Sequence, residues 1–445
     1  MPRRKNQFTL YRKKTNHRRV FWRWFILFWV AAAVALFLIT GLTGPQESKD
    51  PVAAAPQTGE VDVIVVGDGQ SPPPPYKNYD KAELAEIIGD RPFQADEIHS
   101  FAIQDRLGQA LFVRTTLDPK LQDWALNLMP TTKSHSAALV VMEPGSGRIL
   151  TMASWSEDER AENLALSSSF PAASLFKIVT AAAAVESGHL KSQTTLAYDG
   201  GKYTLYKKNI SGGIKEGSHQ VTLKKGFAHS INTVFGKLGA FTLGKEELES
   251  FAEKFHFNQN ITFEMPVESS VFDPPSDEDL YRLAELASGF NRTTKVSPLH
   301  GAMLASAVVN GGTLMEPTVV QEVFDLDNQI YYRHQPVSLG RVVAPETVKE
   351  LKNMMEATVR EGTGRRRFRD AGRHKVLSKL EIGGKSGTIN NEAGQKVDWF
   401  VSFAEHDRTG DRIALASVVV HKELLGTRSQ EIVREAIIHY FLPRI

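Results

Sequence analysis

The stretch Phe170-Pro171-Ala172-Ala173-Ser174-Leu175-Phe176-Lys177-Ile178-Val179-Thr180-Ala181-Ala182-Ala183-Ala184-Val185-Glu186 decides how the rest of the chain is read. Pro171 cannot continue a helix from upstream, but with the small residues behind it suits the approach to a new one. The alanines from Ala181 form helix strongly, and Gly188 is a natural stop. From Leu175 to Val185 the only charge is Lys177, so the pattern predicts a helix buried nearly all round. Ser174 in its first turn and Lys177 three residues on share one face, their side-chain roots roughly 5–6 Å apart. An ammonium buried beside a hydroxyl is costly unless it is used. The rest of the sequence has to explain that pair.

Outward from this helix the chain changes in kind. Upstream, residues 137–142 and 149–153 read as two strands joined by the turn Pro144-Gly145-Ser146-Gly147, after a helix at 120–128 that starts behind Asp118-Pro119. Residues 81–111 read as one or two short helices with a hairpin-like exit into 111–116. Downstream, 174 to about 356 is predicted mainly helical, with helices at 245–256, 278–287 and 298–309. Strands return at 380–389, 397–404 and 412–420, and Ile432, Ala436, Ile437 and Tyr440 mark a terminal helix at about 428–441. Two early strands, three late ones and helices between predict an α+β fold. It is an antiparallel sheet of about five strands with helices packed on it, plus a mostly helical subdomain.

The 445 residues carry 42% hydrophobic and 23% charged side chains, ordinary for a globular chain. The net charge of +2 conceals an asymmetry: residues 1–23 hold nine Lys or Arg and no acid, leaving 44 basic against 51 acidic residues elsewhere, or −7. Positive charge confined to a terminus does not mark a nucleic-acid binder. There is no cysteine, which excludes disulfides, thiolate nucleophiles and zinc–thiolate sites. The 13 histidines show no metal-binding spacing, so no metal or other cofactor is expected. Residues 24–42 are uncharged and apolar, and nineteen residues in a helix span roughly 28 Å, the thickness of a bilayer core. With basic residues 1–19 as a cytoplasmic tail, residues 20–42 are expected to anchor the chain in the plasma membrane and send the remainder outward. Residues 43–80 read as a Pro/Ala-rich linker containing Pro72 to Pro75 and one strand-like run, 61–66.

Three short patterns follow in order: Ser174-x-x-Lys177, Ser230-Ile231-Asn232, and Lys385-Ser386-Gly387 with Thr388 behind it. Singly each is weak; as an ordered set, with the first on a buried helix and the third on a strand, they are specific. The set resembles the transpeptidase domain of penicillin-binding proteins, within the serine D,D-transpeptidase and β-lactamase-like superfamily. The likeness extends to Phe112-Val113-Arg114-Thr115-Thr116-Leu117-Asp118-Pro119, Glu143-Pro144-Gly145-Ser146-Gly147-Arg148, Val296-Ser297-Pro298-Leu299-His300, Glu361-Gly362-Thr363-Gly364 and Asp398-Trp399-Phe400-Val401. It covers residues 112–445, leaving 81–111 as a short juxta-domain segment. The texture is nearest the class A enzymes, but residues 1–111 leave no room for their glycosyltransferase domain. Ala172-Ala173 stand where the family often has Pro-Gly before the serine, and Ser386 replaces the commoner threonine.

The resemblance implies a membrane-anchored transpeptidase that crosslinks peptidoglycan stem peptides and is acylated by β-lactams. Ser174 is then the nucleophile and Lys177, its pKa lowered by burial and by the charge of Lys385, the base. Ser230 relays a proton, Asn232 holds Lys177 and a substrate amide, and Lys385, Ser386 and Thr388 take a terminal carboxylate. Gly387 is expected to let substrate lie against the strand, and the N–H groups of Ser174 and Thr388 to form an oxyanion hole. Trp399 and His229 read as structural. D,D-carboxypeptidase activity and a non-catalytic sensor or scaffold are the alternatives; a β-lactamase fits less well, as no Leu-Asn pair follows Ser174. A separate peptidoglycan glycosyltransferase is the expected partner.

Overall fold

A five-stranded antiparallel sheet is assembled from both ends of the chain, and the helical half of the molecule is threaded between them. The computed structural model describes residues 78–445 apart from 90–92, 94–96, 159–162, 211–216 and 276–278. The tail (1–19), the anchor (20–42), the strand-like run at 61–66 and all but the end of the linker lie outside the described residues. Among the described residues no helix is long and apolar enough to cross a membrane.

In chain order the principal elements are α1 (Lys81–Ile88), β1 (Ser100–Gln104), β2 (Ala110–Thr115), α2 (Pro119–Leu128), β3 (Ser136–Met142), β4 (Ile149–Ser156) and α3 (Lys177–Glu186). Then come α4 (Leu223–Ala228), α5 (Asn232–Leu238), α6 (Gly244–Lys254), α7 (Leu280–Ser288), α8 (Pro298–Val309), β5 (Val320–Phe324), β6 (Ile330–Arg333) and α9 (Pro345–Arg360). The chain closes with β7 (Leu380–Asn390), β8 (Lys396–His406), β9 (Arg412–Val420) and α10 (Ser429–Phe441).

The sheet order is β7-β8-β9-β3-β4, so the early strands join the late ones through β9 and β3, with Val140 opposite Ala416. Alternation along each strand sorts the core into two layers. Ala138, Val140, Met142, Trp399, Val401, Ala416 and Val418 share one core with α8, while Leu139, Val141, Phe400 and Leu415 meet Ile432, Val433 and Ile437 of α10 on the other face. With both faces covered, the strands carry continuous apolar runs. Helix α8, between sheet and helical half, is buried along its whole length. Its start is fixed by Pro298 and by Ser297, whose side chain accepts the His300 N–H.

Two expectations are corrected. Within the stretch 174–356, expected to be mainly helical, residues 313–341 hold four short strands and no helix. Val319, Val320, Val323, Phe324, Ile330, Tyr331 and Tyr332 flank a turn at Asp325, whose carboxylate accepts the N–H groups of Asp327 and Gln329. These strands extend the β1–β2 hairpin into a sheet ordered β1-β2-β5-β6. The domain start read at residue 112 falls inside β2, and Leu84, Phe93 and Ile98 of the preceding segment sit in the main core. Lys81 ties α1 down further, donating to the Pro317 carbonyl at 2.7 Å and pairing with Glu316 at 2.8 Å. Residues 81–111 are part of the body.

If that is so, Leu84→Ala, at a fully buried position, should destabilise the whole fold by about 3 kcal/mol within one cooperative transition, followed by chemical denaturation. A separate early transition with an unmoved main midpoint would show that 81–111 folds alone.

Candidate active site

Ser174 lies in a 3-10 turn, Ala173–Phe176, that runs directly into α3. The turn is held from three directions. Phe170 and Pro171 pair with Val296 and Lys295. The Trp399 indole N–H donates to the Pro171 carbonyl at 2.9 Å, so this buried tryptophan, structural as expected, ties the turn to β8. Gly289, which ends α7 with φ 64°, lies beneath: a Cβ there would come within 1.9 Å of the Ala173 carbonyl oxygen. Glycine is demanded there both by backbone conformation and by space.

Lys177 is fully buried. Its Nζ is 2.7 Å from Ser174 Oγ and 2.8 Å from Asn232 Oδ1, and also donates to the Ser288 carbonyl. Asn232 opens α5, and its Nδ2 donates to the Tyr203 carbonyl at 2.9 Å, which turns Oδ1 towards the lysine. Ser288 closes α7. A neutral amine has two N–H groups and one lone pair. With Asn232 Oδ1 and the Ser288 carbonyl taking the N–H groups, the lone pair is left for the Ser174 hydroxyl proton. Burial, and after it the positive charge of Lys385, holds the Lys177 amine well below the usual lysine range.

Lys385 is the second fully buried lysine. Its Nζ donates to Ser230 Oγ and to the Ser386 carbonyl, both at 2.9 Å, and burial brings its pKa down to about 7. Ser230 sits between α4 and α5 with φ 54°. Neither lysine has an ion-pair partner among the described residues; instead Lys177 lies 5.7 Å from the Phe235 ring centre and Lys385 5.4 Å from that of Phe227. These contacts supply ring-face attraction where carboxylates are missing.

Above the lysines opens a cleft of about 600 Å³ lined by Ser174, Ser230, Asn232, Ser386 and Thr388. The eight residues singled out from the sequence thus converge. A Cβ at Gly387 would meet Ala173 Cβ (3.2 Å), Trp399 Cβ (3.3 Å) and Ser174 N (3.4 Å), so this glycine lets β7 approach the serine turn. Half-buried His229 does not line the cleft. Among the described residues no group of side chains could hold a metal ion.

Several lining or supporting residues were not identified from the sequence. Thr363 Oγ1, inside the Glu361-Gly362-Thr363-Gly364 motif, lies 2.6 Å from Ser386 Oγ. Asp398 Oδ1 accepts from the Thr388 hydroxyl at 3.4 Å, and its Oδ2 accepts from Ser429 N–H and Oγ at 3.1 Å. Tyr203 and Ser288 contribute through backbone carbonyls, which no side-chain pattern announces.

A family model for the penicillin binding protein transpeptidase domain matches residues 137–439. Among curated proteins the chain is 29% identical to stage V sporulation protein D of Bacillus subtilis, over 60% of this chain and 43% of that protein. It is 25% identical to the peptidoglycan D,D-transpeptidase PbpA of Mycolicibacterium smegmatis, over 66% of this chain and 64% of that one. The chain therefore spans less than two thirds of either relative. Among solved structures, the D,D-transpeptidase domain of a peptidoglycan glycosyltransferase from Eggerthella lenta superposes with TM-score 0.60 at 25% identity, covering 75% of this chain and 83% of that one. Penicillin-binding protein A of Mycobacterium tuberculosis, as an imipenem acyl-enzyme complex, shares the fold with TM-score 0.59 at 22% identity, covering 74% and 79%.

The buried lysines make a thermodynamic prediction. A lysine whose folded pKa is depressed costs the fold stability, fully below the folded pKa and not at all above the unfolded value. Lys385→Met should therefore raise the Tm at pH values below about 7, the gain shrinking as pH climbs from about 7 towards 10.5. A Tm difference that does not change across that range would show that Lys385 keeps its ordinary pKa.

Proposed function

The chain belongs to the penicillin-binding protein transpeptidase family, and from that premise we propose that it is a membrane-anchored serine D,D-transpeptidase of peptidoglycan, working through an acyl-enzyme on Ser174. One observation carries the reading: Lys177 Nζ stands 2.7 Å from Ser174 Oγ with its other two directions occupied by acceptors. A hydroxyl is a weak nucleophile until a base takes its proton, and a neutral buried amine at hydrogen-bond distance is such a base.

In this mechanism Ser174 Oγ attacks the penultimate D-Ala carbonyl of a stem peptide as Lys177 takes its proton. The tetrahedral oxyanion is received by the N–H groups of Ser174 and Thr388, worth roughly 3–4 kcal/mol of barrier. Collapse breaks the C–N bond, and the departing D-Ala amine takes a proton through Ser230, which Lys385 orients. The hydroxyls of Ser386 and Thr388, with the Lys385 charge, hold the terminal carboxylate. Asn232 has one amide N–H on Tyr203 and a second for a substrate carbonyl. An amine of a second stem then attacks the ester and regenerates Ser174. A β-lactam acylates the same serine. Residues 20–42 anchor the chain with its amino terminus in the cytoplasm and the catalytic body outside, and a separate glycosyltransferase supplies the glycan strands; the basic tail and apolar run support this placement.

Mass spectrometry after penicillin treatment should locate a single adduct on Ser174, absent from Ser174→Ala. Crosslinked dimer formed from stem peptides supports transpeptidation, whereas release of D-Ala alone identifies a carboxypeptidase. Full complementation of cells by Ser174→Ala would leave only a non-catalytic role. In the free enzyme the acylation rate should fall at low pH as Lys177 gains its proton. It should fall again as pH rises through about 7, where Lys385 loses the charge that holds the carboxylate. A rate flat across the alkaline side would remove Lys385 from carboxylate binding.

A further inference from the structure

The cleft holds more positive charge than a single terminal carboxylate needs. Its lining carries four cations, Arg366, Arg367, Lys396 and Arg428, against one carboxylate, Asp398. Two of the four are balanced. Arg367 pairs with Glu431 at 2.8 Å, and Arg428 lies 3.5 Å from Asp398 while its N–H donates to Glu431 at 2.8 Å. Asp398 is further engaged by Thr388 and Ser429. Arg366 and Lys396 have no ion-pair partner among the described residues. The C-terminal carboxylate is provided for by Lys385, Ser386 and Thr388, on the reading given above.

Arg366 is well placed for a second anion. It follows by three residues Thr363, which is bonded to Ser386, and it stands on the short helix Arg365–Phe368. That helix is anchored by Phe368, buried and stacked on Phe400 of β8 with ring centres 6.0 Å apart, so the guanidinium base is fixed while its head faces solvent. Residues 365–379 carry seven Lys or Arg and one Asp, a local positive field that favours anionic ligands at this end of the cleft. A guanidinium matches a carboxylate in a planar, two-bond geometry that a point charge does not.

We propose that the cleft is selective for stem peptides bearing a free carboxylate in addition to the C-terminal one, and that Arg366 is the recognition point, with the balanced Arg367 and Arg428 fixing the wall behind it. This deepens the transpeptidase reading and rests on it.

The test uses the full chain and a set of peptides ending in D-Ala-D-Ala whose interior carboxylates are converted to carboxamides one at a time, with D-Ala release as readout. For the wild type, one amidation should lower kcat/KM about tenfold, mostly through KM, the size expected for one charge-assisted contact. In Arg366→Gln that ratio should collapse towards one. In Arg373→Gln, exposed in the same basic run but outside the cleft, it should persist. Labelling of Ser174 by penicillin in the same preparations reports that each variant is folded at the site. A wild type that is labelled yet indifferent to amidation overturns the selectivity, and a preference kept in Arg366→Gln overturns the arginine assignment; either leaves the transpeptidase reading standing. A wild type that is neither labelled nor active overturns the transpeptidase reading and this inference with it.

Discussion

Two lysines buried without a counter-carboxylate among the described residues are the constraint on which the structure turns. An amine in a low-dielectric interior keeps its charge only at considerable expense, and here the second lysine raises that expense for the first. The molecule meets the penalty with neutral dipoles: the Asn232 amide oxygen, the Ser288 and Ser386 carbonyls and two serine hydroxyls, backed by the faces of Phe227 and Phe235. A carboxylate in place of any of these would repair the electrostatics and draw the lysine pKa back up. The low pKa is therefore maintained by what the fold leaves out.

The same constraint explains why the site straddles two halves of the molecule. Ser174 and Lys177 belong to the helical half, Ser230 and Asn232 to the loop and helix start beyond it, and Lys385 to the edge strand of the sheet. None of these elements excludes water alone. Fully buried α8 fills the space between halves, and the contact is tightened where side chains are smallest: Gly387 against Ala173, Gly289 beneath it. Trp399 adds a directional bond across the joint. Loosening any of these would admit water to Lys177 and return it to its ordinary protonation.

The sequence was most informative where one physical rule dominated. All five strands of the main sheet lie close to where their apolar runs placed them, and the ordered Ser-x-x-Lys, Ser-x-Asn and Lys-Ser-Gly patterns identified seven side chains that meet in space. It was least informative where the partner is far away in sequence. Residues 320–324 alternate enough to be a strand, but they are stabilised by pairing with β2, some 200 positions earlier, and no local pattern announces that. The Ser288 carbonyl, which accepts from the Lys177 amine, has no side-chain signature at all. Gly387 packs against the serine turn, a contact the sequence does not announce, because it gives the absence of a side chain and not its direction.

One local violation is informative in itself. Ala173 and Ser230 are non-glycine residues with φ of 48° and 54°, a region that costs an L-residue roughly 1–2 kcal/mol. Both stand beside the reacting groups: the first orients the turn that presents Ser174, the second swings its hydroxyl to Lys385. Glycine at position 173 would remove the penalty but also widen the conformations open to the serine turn. An alanine held left-handed, pressed by Gly289 and Gly387 and anchored upstream by the Trp399–Pro171 bond, has fewer alternatives once folded. The strain thus holds the Ser174 hydroxyl in line with the Lys177 amine, where a small angular error would part the two.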